Sequence, residues 1–306
     1  MRSLALTALS LFVFLLSSTN ARAASPCYFI SVPCESSPDR GAVTGGAFPA
    51  FADMFNLNPA SIPTVETPVG IEAIASASGR LDSEPTYNFS IIKGFKRIGA
   101  ALSSNSENTF YNYNLEQAAQ GTQFQSYFGQ RSTLNLGSAF ALLEDELKQY
   151  MSPALGLGAR YNQVTGDLDL SFGASLSSKY LSLGVSTHST RGDPMTGYPN
   201  TQTTTLSAEV RLGWLSVDYT LIYYGTSDPI ARQHPIFGTP TRIATIGVQK
   251  GGFWATAAYR RTVDLDGAER SLLLGSVQYQ FFSKLSAGYL YNYVPGSQSL
   301  GIQLFI

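Results

Sequence analysis

Charge is scarce in this chain. Asp, Glu, Lys and Arg make up 13% of its 306 residues, well below the roughly 25% usual in soluble domains. The formal net charge is −1, so there is no basic excess to attract nucleic acid. Long apolar runs are missing too. Beyond the first 23 residues no stretch reaches the about 18 apolar residues that a spanning helix needs, which excludes a helical membrane protein. Cys27 and Cys34 are the only cysteines, and His188 and His234 the only histidines. Two cysteines and two distant histidines do not make a zinc site. Catalysis by an activated nucleophile needs a base, and few are available. No cofactor, no metal and no enzymatic activity are expected.

The start reads as an address. Arg2 supplies a positive charge, Leu4 to Leu16 an apolar run too short to span a bilayer, and Ala21-Arg22-Ala23 a cleavage site. A signal peptide over 1–23 is expected, with the mature chain starting at Ala24. Cys27 and Cys34 follow at once. In an oxidising periplasm they are expected to form a local disulfide. The alternative is lipid attachment at Cys27, for which Ala24-Ser25-Pro26 is a poor context.

What the chain has in abundance is alternation. Leu155, Leu157, Ala159 and Tyr161 alternate with Gly156, Gly158, Arg160 and Asn162. Leu168 to Leu176, Leu181 to Val185, Leu206 to Leu212 and Leu215 to Leu221 repeat the pattern. Period two means strand. The polar face holds Ser, Thr, Gly and a few opposite charges rather than the Lys and Glu of a wetted sheet. With 17 Tyr, 18 Phe and 28 Gly, this is the pattern of an antiparallel transmembrane β-barrel, lipid outside and a polar lumen within. The strands are expected at 66–78, 84–93, 96–104, 130–142, 153–163, 167–177, 180–190, 202–212, 215–225, 240–249, 252–263, 269–280, 284–293 and 297–306. That is an even count of about fourteen. Short turns at Gly94-Phe95, Ser178-Lys179, Gly213-Trp214, Lys250-Gly251 and 281–283 oppose long loops at 105–129, 191–201 and 226–239. Short periplasmic turns and long outer loops put both termini in the periplasm of a bacterial outer membrane. One connection, 143–152, is longer than its neighbours and has room for one or two helical turns. Alternation of Leu300, Ile302, Leu304 and Ile306 to the terminus is similar to the signal read by the barrel-assembly machinery.

Ahead of the strands, residues 45–62 are apolar without alternation, and Ala50 to Phe55 has the character of a short helix. Such a segment must bury itself, and the lumen is the nearest place. Its stretch Asp53-Met54-Phe55-Asn56-Leu57-Asn58-Pro59-Ala60 resembles the Asn-Pro-Ala signature ahead of the barrel in the outer-membrane long-chain fatty-acid transporter (FadL-type) family. Leu155 to Gly166 is similar to hairpins of that family. The resemblance implies a fourteen-stranded barrel with an N-terminal plug, and Asn58, Pro59 and Ala60 as hatch residues. The chain is then organised as a signal peptide (1–23), a periplasmic lead and lumenal hatch (24–65) and a barrel (66–306).

The expected lumen face carries Glu72, Arg160, Asp169, Glu209, Arg211, Asp218 and Arg260. Across the hairpin at Gln163–Gly166, Arg160 and Asp169 are placed to face each other. These charges read first as pairs that satisfy a wet interior, and second as a path where an arginine meets a carboxylate. The loop 105–129 holds Phe110, Tyr111, Tyr113, Phe124, Tyr127 and Phe128, which either pack on the rim or capture an apolar ligand. His188-Ser189-Thr190 resembles the His-x-Ser of outer-membrane phospholipases, but Thr190 and Arg191-Gly192 depart from that motif. Asp193, Asp228, Asp264 and Asp266 read as solvated loop carboxylates rather than calcium ligands. The expected function is passive uptake of hydrophobic or amphipathic small molecules such as long-chain fatty acids, in contact with outer-membrane lipid. The alternative is a non-transporting structural or secretion-partner barrel.

Overall fold

The computed structural model describes residues 58–64, 66–77, 86–106, 132–143, 152–162, 168–178, 180–190, 201–229, 231–233, 235–263, 268–281, 284–292 and 298–306. Among these residues fourteen strands form one closed ring. They are β1 (Gly70–Ala77), β2 (Thr86–Gly94), β3 (Ile98–Ser106), β4 (Ser132–Ala141), β5 (Ser152–Asn162), β6 (Leu168–Ser177), β7 (Leu181–Thr190), β8 (Thr201–Leu212), β9 (Leu215–Thr226), β10 (Thr241–Lys250), β11 (Phe253–Val263), β12 (Glu269–Phe281), β13 (Leu285–Asn292) and β14 (Gln298–Phe305). Each pairs antiparallel with its chain neighbours, and β1 meets β14, so no edge is left open.

The alternation in the sequence becomes two faces. On β10 burial alternates residue by residue from Thr241 to Gly247. On β5, Leu155 and Leu157 face out while Ala154 and Gly156 are buried. Exposed apolar side chains run round the ring, from Ile71 on β1 through Phe172 and Ile246 to Leu304 on β14. Water would oppose such a belt by roughly 25 cal/mol per Å², so the belt is a lipid-facing surface. Aromatic side chains fringe it at both ends. Tyr161, Tyr223, Tyr259 and Tyr291 stand toward the long connections, and Phe95, Tyr180 and Trp214 at the short ones. This is an outer-membrane type of barrel.

The short turns follow from local chemistry. Gly213 (φ 67°) and Gly251 (φ 60°) take the left-handed conformation that two-residue hairpins need. The first short turn differs from expectation. It runs Phe95 to Arg97, and Arg97, a non-glycine, adopts φ 71°. Strand β1 also starts later than expected, at Gly70 rather than 66. Thr67 is diverted from the ladder. Its N–H donates to the Gly94 carbonyl (3.2 Å) and its hydroxyl accepts from the Gly94 N–H (2.8 Å). Pro68, with no N–H, cannot extend a ladder.

The expected helix at Ala50 to Phe55 lies outside the described residues. So do most of 143–152, the cysteines Cys27 and Cys34, and the aromatic loop residues Phe110, Tyr111, Tyr113, Phe124, Tyr127 and Phe128.

Candidate functional site

The chain enters the lumen at its short-turn rim. Val69 and Ile306 exchange two backbone hydrogen bonds of 2.9 Å beside the β1–β14 seam. Going toward the N-terminus, Lys93 Nζ donates to the Thr67 carbonyl. The Arg97 N–H donates to the Thr64 carbonyl (2.9 Å). That bond uses the left-handed turn at Arg97, whose guanidinium lies 5.3 Å from the centre of the Phe140 ring. Ile62 then packs in a buried apolar cluster with Ile92, Ala101, Ala139 and Phe305, drawn from β2, β3, β4 and β14. Burial of that side chain contributes about 2 kcal/mol.

Asn58, Pro59 and Ala60 lie at the inner end of this segment, all buried. Their order dictates the local shape. Asn58 is extended, and its Oδ1 accepts from the Ala60 N–H (3.0 Å). Proline follows at a position where its missing N–H has no partner to lose. A single 3-10 turn, Pro59–Ser61, results, closed by Ser61 N–H to the Asn58 carbonyl (2.9 Å). Asn58 Nδ2 donates to the Ala174 carbonyl on β6 (3.2 Å), and Ser175 Oγ to the Ala60 carbonyl (3.3 Å).

The wall makes room for this turn. Gly156 on β5 and Gly173 on β6 are register partners. A methyl group on Gly156 would overlap the Ala60 nitrogen and the Pro59 carbonyl carbon, and one on Gly173 would overlap Asn58 Oδ1. At the rim, a methyl on Gly99 would overlap the Pro63 carbonyl and Ile62. The turn at Asn58 to Ser61 lies in a socket of glycines where backbone meets backbone.

The seven expected lumen charges all stand on the inner register, but in separate places. Arg160 and Asp169 are register partners on β5 and β6, and Arg160 Nη2 bonds Asp169 Oδ2 at 3.2 Å, toward the long-loop rim. Arg211 and Glu209 form a second pair near the short-turn rim. Glu209 Oε2 accepts from Arg211 Nε (3.2 Å) and Nη2 (3.0 Å). Arg211 also reaches Ser182 Oγ (2.6 Å) and the Ser178 carbonyl (3.2 Å). Asp218 is the register partner of Glu209. Glu72 sits by the seam, where Gln303 Nε2 donates to its Oε2 (2.7 Å). Gln303 Oε1 accepts in turn from Gln278 (2.8 Å) and Ser286 (3.2 Å). Arg260, 0% exposed, lies higher in the wall with Ile243 as its register partner. Buried Ile222 and Tyr224 on β9 share that upper region of the lumen face.

His188 also stands on the inner register, between Ser171 on β6 and Thr203 on β8. Its Nε2 is 3.4 Å from Ser186 Oγ. A lipid hydrolase needs its nucleophile on the lipid side, and this pair faces the lumen. Of the loop carboxylates, Asp228 is described. Its N–H donates to Thr226 Oγ1 (3.1 Å) and its carbonyl accepts from Arg232 N–H (3.0 Å). Among the described residues no group of three metal-ligating side chains converges.

Sequence reasoning missed the socket glycines Gly99, Gly156 and Gly173, and the Gln303, Gln278 and Ser286 chain. The Gly156-Leu157-Gly158 alternation was visible, but a glycine that leaves space and a glycine that merely alternates look alike in sequence.

No protein-family model matches the chain, and no curated protein matches it. Among solved structures, the CymD monoaromatic hydrocarbon channel aligns over 86% of this chain and 94% of its own, at 11% identity and a TM-score of 0.49. The outer membrane protein Omp33 of Acinetobacter baumannii aligns over 79% of this chain and 100% of its own, at 8% identity and a TM-score of 0.47. The outer membrane phospholipase A of Escherichia coli aligns over 80% and 93%, at 10% identity and a TM-score of 0.36. The fold assignment rests on the strand ladders themselves, and no substrate passes from these proteins to this chain.

Proposed function

We propose that the barrel admits hydrophobic or amphipathic small molecules, such as long-chain fatty acids, passively across an outer membrane, with Asn58-Pro59-Ala60 as a displaceable hatch. In this reading the protein is a channel and not an enzyme. The observation that carries it is the socket. A barrel built only for stability would fill its interior with side chains from the wall. Here Gly99, Gly156 and Gly173 give up that space to a segment that is not part of the sheet. The segment is held largely by hydrogen bonds, each worth about 1 kcal/mol net, and by Ile62. It can leave while the ring stays closed. Most lumen-facing side chains are buried, which suits a gated path better than a wide aqueous pore. In the upper wall, Ile222, Tyr224 and Ile243 offer apolar contact near Arg260, the arrangement an amphipathic acid would use. The long loops face outward, the termini face the periplasm, and the aromatic loop 105–129 serves as the capture surface.

A second reading is a structural or secretion-partner barrel. It draws on the short-turn half of the lumen, where the Arg211–Glu209–Ser182 and Glu72–Gln303–Gln278 groups fill the wall with hydrogen-bonded side chains. Uptake of labelled oleate into liposomes holding the refolded barrel separates the two. Saturable uptake, faster in Gly156→Val because the hatch cannot seat, supports the channel. No uptake from either protein, with both shown to be folded, leaves the structural reading standing.

A further inference from the structure

Two arginines stand on the lipid-facing surface of the barrel, side by side. Arg242 on β10 and Arg261 on β11 are register partners, and both are exposed. Arg242 is the second residue of β10 and Arg261 lies two before the end of β11, so both are at the long-loop rim. Like charges directly opposite on one face repel. Arg261 is compensated by Glu269, whose Oε2 accepts from its Nε (3.0 Å) and its Nη2. Arg242 has no such carboxylate among the described residues. Among the described residues, two arginines and one glutamate leave one positive charge on this membrane-facing surface.

The wall around them is graded as a lipid is. Level with the arginines, Arg261 has Ser271 as its partner on β12, and Ser271 Oγ bonds Tyr259 Oη at 2.8 Å. Tyr219, Tyr223 and Tyr259 are exposed close by, which marks this level as the headgroup boundary. One row further in, Ala244 lies between Tyr219 and Tyr259. The next row holds Ala257 beside Gly275, and Ala255 follows on β11. These small residues form a shallow diagonal trough between Ile246 on one side and Leu273 and Val277 on the other, all of them exposed.

We propose that this surface binds one membrane lipid with a phosphorylated headgroup. Its phosphate is held by Arg242 and Arg261, and its acyl chains lie along Ala244, Ala257, Gly275 and Ala255. The planar guanidinium forks match phosphate oxygens. A lipid is favoured over a free anion because both side chains rise from the apolar belt with the trough directly beneath them. In an outer membrane with the long loops outward, the lipid is the phosphorylated glycolipid of the outer leaflet.

Native mass spectrometry of the whole barrel, released from neutral detergent, tests this. Lipid A is titrated against its dephosphorylated form, which has the same acyl chains, with and without inorganic phosphate. The expected result is one retained lipid A per barrel and weak retention of the dephosphorylated form. Arg242→Gln should weaken retention about tenfold, as loss of a charge-assisted bond implies. Arg242→Lys should keep part of it, and Glu269→Gln, which removes the competing carboxylate, should strengthen it. Heat-dependent gel mobility confirms that each variant is folded. Equal retention of the two lipids, or no change in Arg242→Gln, overturns the proposal. Full displacement by millimolar phosphate overturns it in favour of a free-anion site. A two-barrel assembly that depends on Arg242 overturns it in favour of a second copy on this face.

Discussion

Asn58 does two jobs with one side chain. One side chain shapes its own turn through Oδ1 and ties that turn to β6 through Nδ2. The glycine facing it, Gly173, is its counterpart, since any side chain there would meet Oδ1. Two changes should therefore release the hatch by different routes. Asn58→Ala removes both bonds, and Gly173→Ala closes the socket. With Cys27 and Cys34 replaced by serine and Ala60→Cys as the reporter, either change should speed labelling by a water-soluble maleimide at least about tenfold, the effect of losing one to two hydrogen bonds. Unchanged labelling in both would mean that the segment is held by something other than this seat. The charged residues differ in how visible they were beforehand. The facing of Arg160 and Asp169 is legible in sequence because one short connection joins their strands. Glu72 and Gln303 lie 231 residues apart in sequence, and no local pattern links them.

At the scale of elements, the seam between β1 and β14 decides whether the sheet is a barrel. Eight register pairs join the two strands, from Gly70–Phe305 to Ala77–Gln298. Gln303 bridges the seam inside, giving its amide to Glu72 and accepting from Gln278 and Ser286. Gln303→Leu would strip a donor from a buried carboxylate and an acceptor from a buried amide. Each such loss costs about 1–3 kcal/mol, so the urea midpoint of unfolding, followed by gel mobility, should fall clearly. A midpoint equal to that of the original protein would show that water replaces the glutamine. The alternation told where the strands lie, because lipid on one side and polar lumen on the other repeats along every strand. It did not tell where β1 begins. That boundary depends on Thr67 bonding Gly94 across the rim, a contact between elements.

For the whole molecule, the lumen and the outer surface divide the chemistry. Polar and charged groups are mostly inside and satisfied in patches, and the apolar belt outside is continuous round the ring. A hydrolase acting on membrane lipid would need a Ser and a His on the outer surface, whereas Ser186 and His188 are inside. His188→Ala should accordingly leave phospholipid hydrolysis by the purified barrel, with calcium present, at the level of protein-free vesicles, and so should the original protein. Lysophospholipid produced by the original protein and lost in the variant would sink the channel reading.

The sequence by itself determined the number of strands, the face each residue takes and the side on which the long loops fall. These follow from a period of two imposed by two solvents, and each can be read within a ten-residue window. Only the tertiary structure decided which glycines form a socket, which buried charges meet and which arginines stand together on the outside. Those depend on register between strands and on the closure of the ring, which bring together residues that no window of sequence contains.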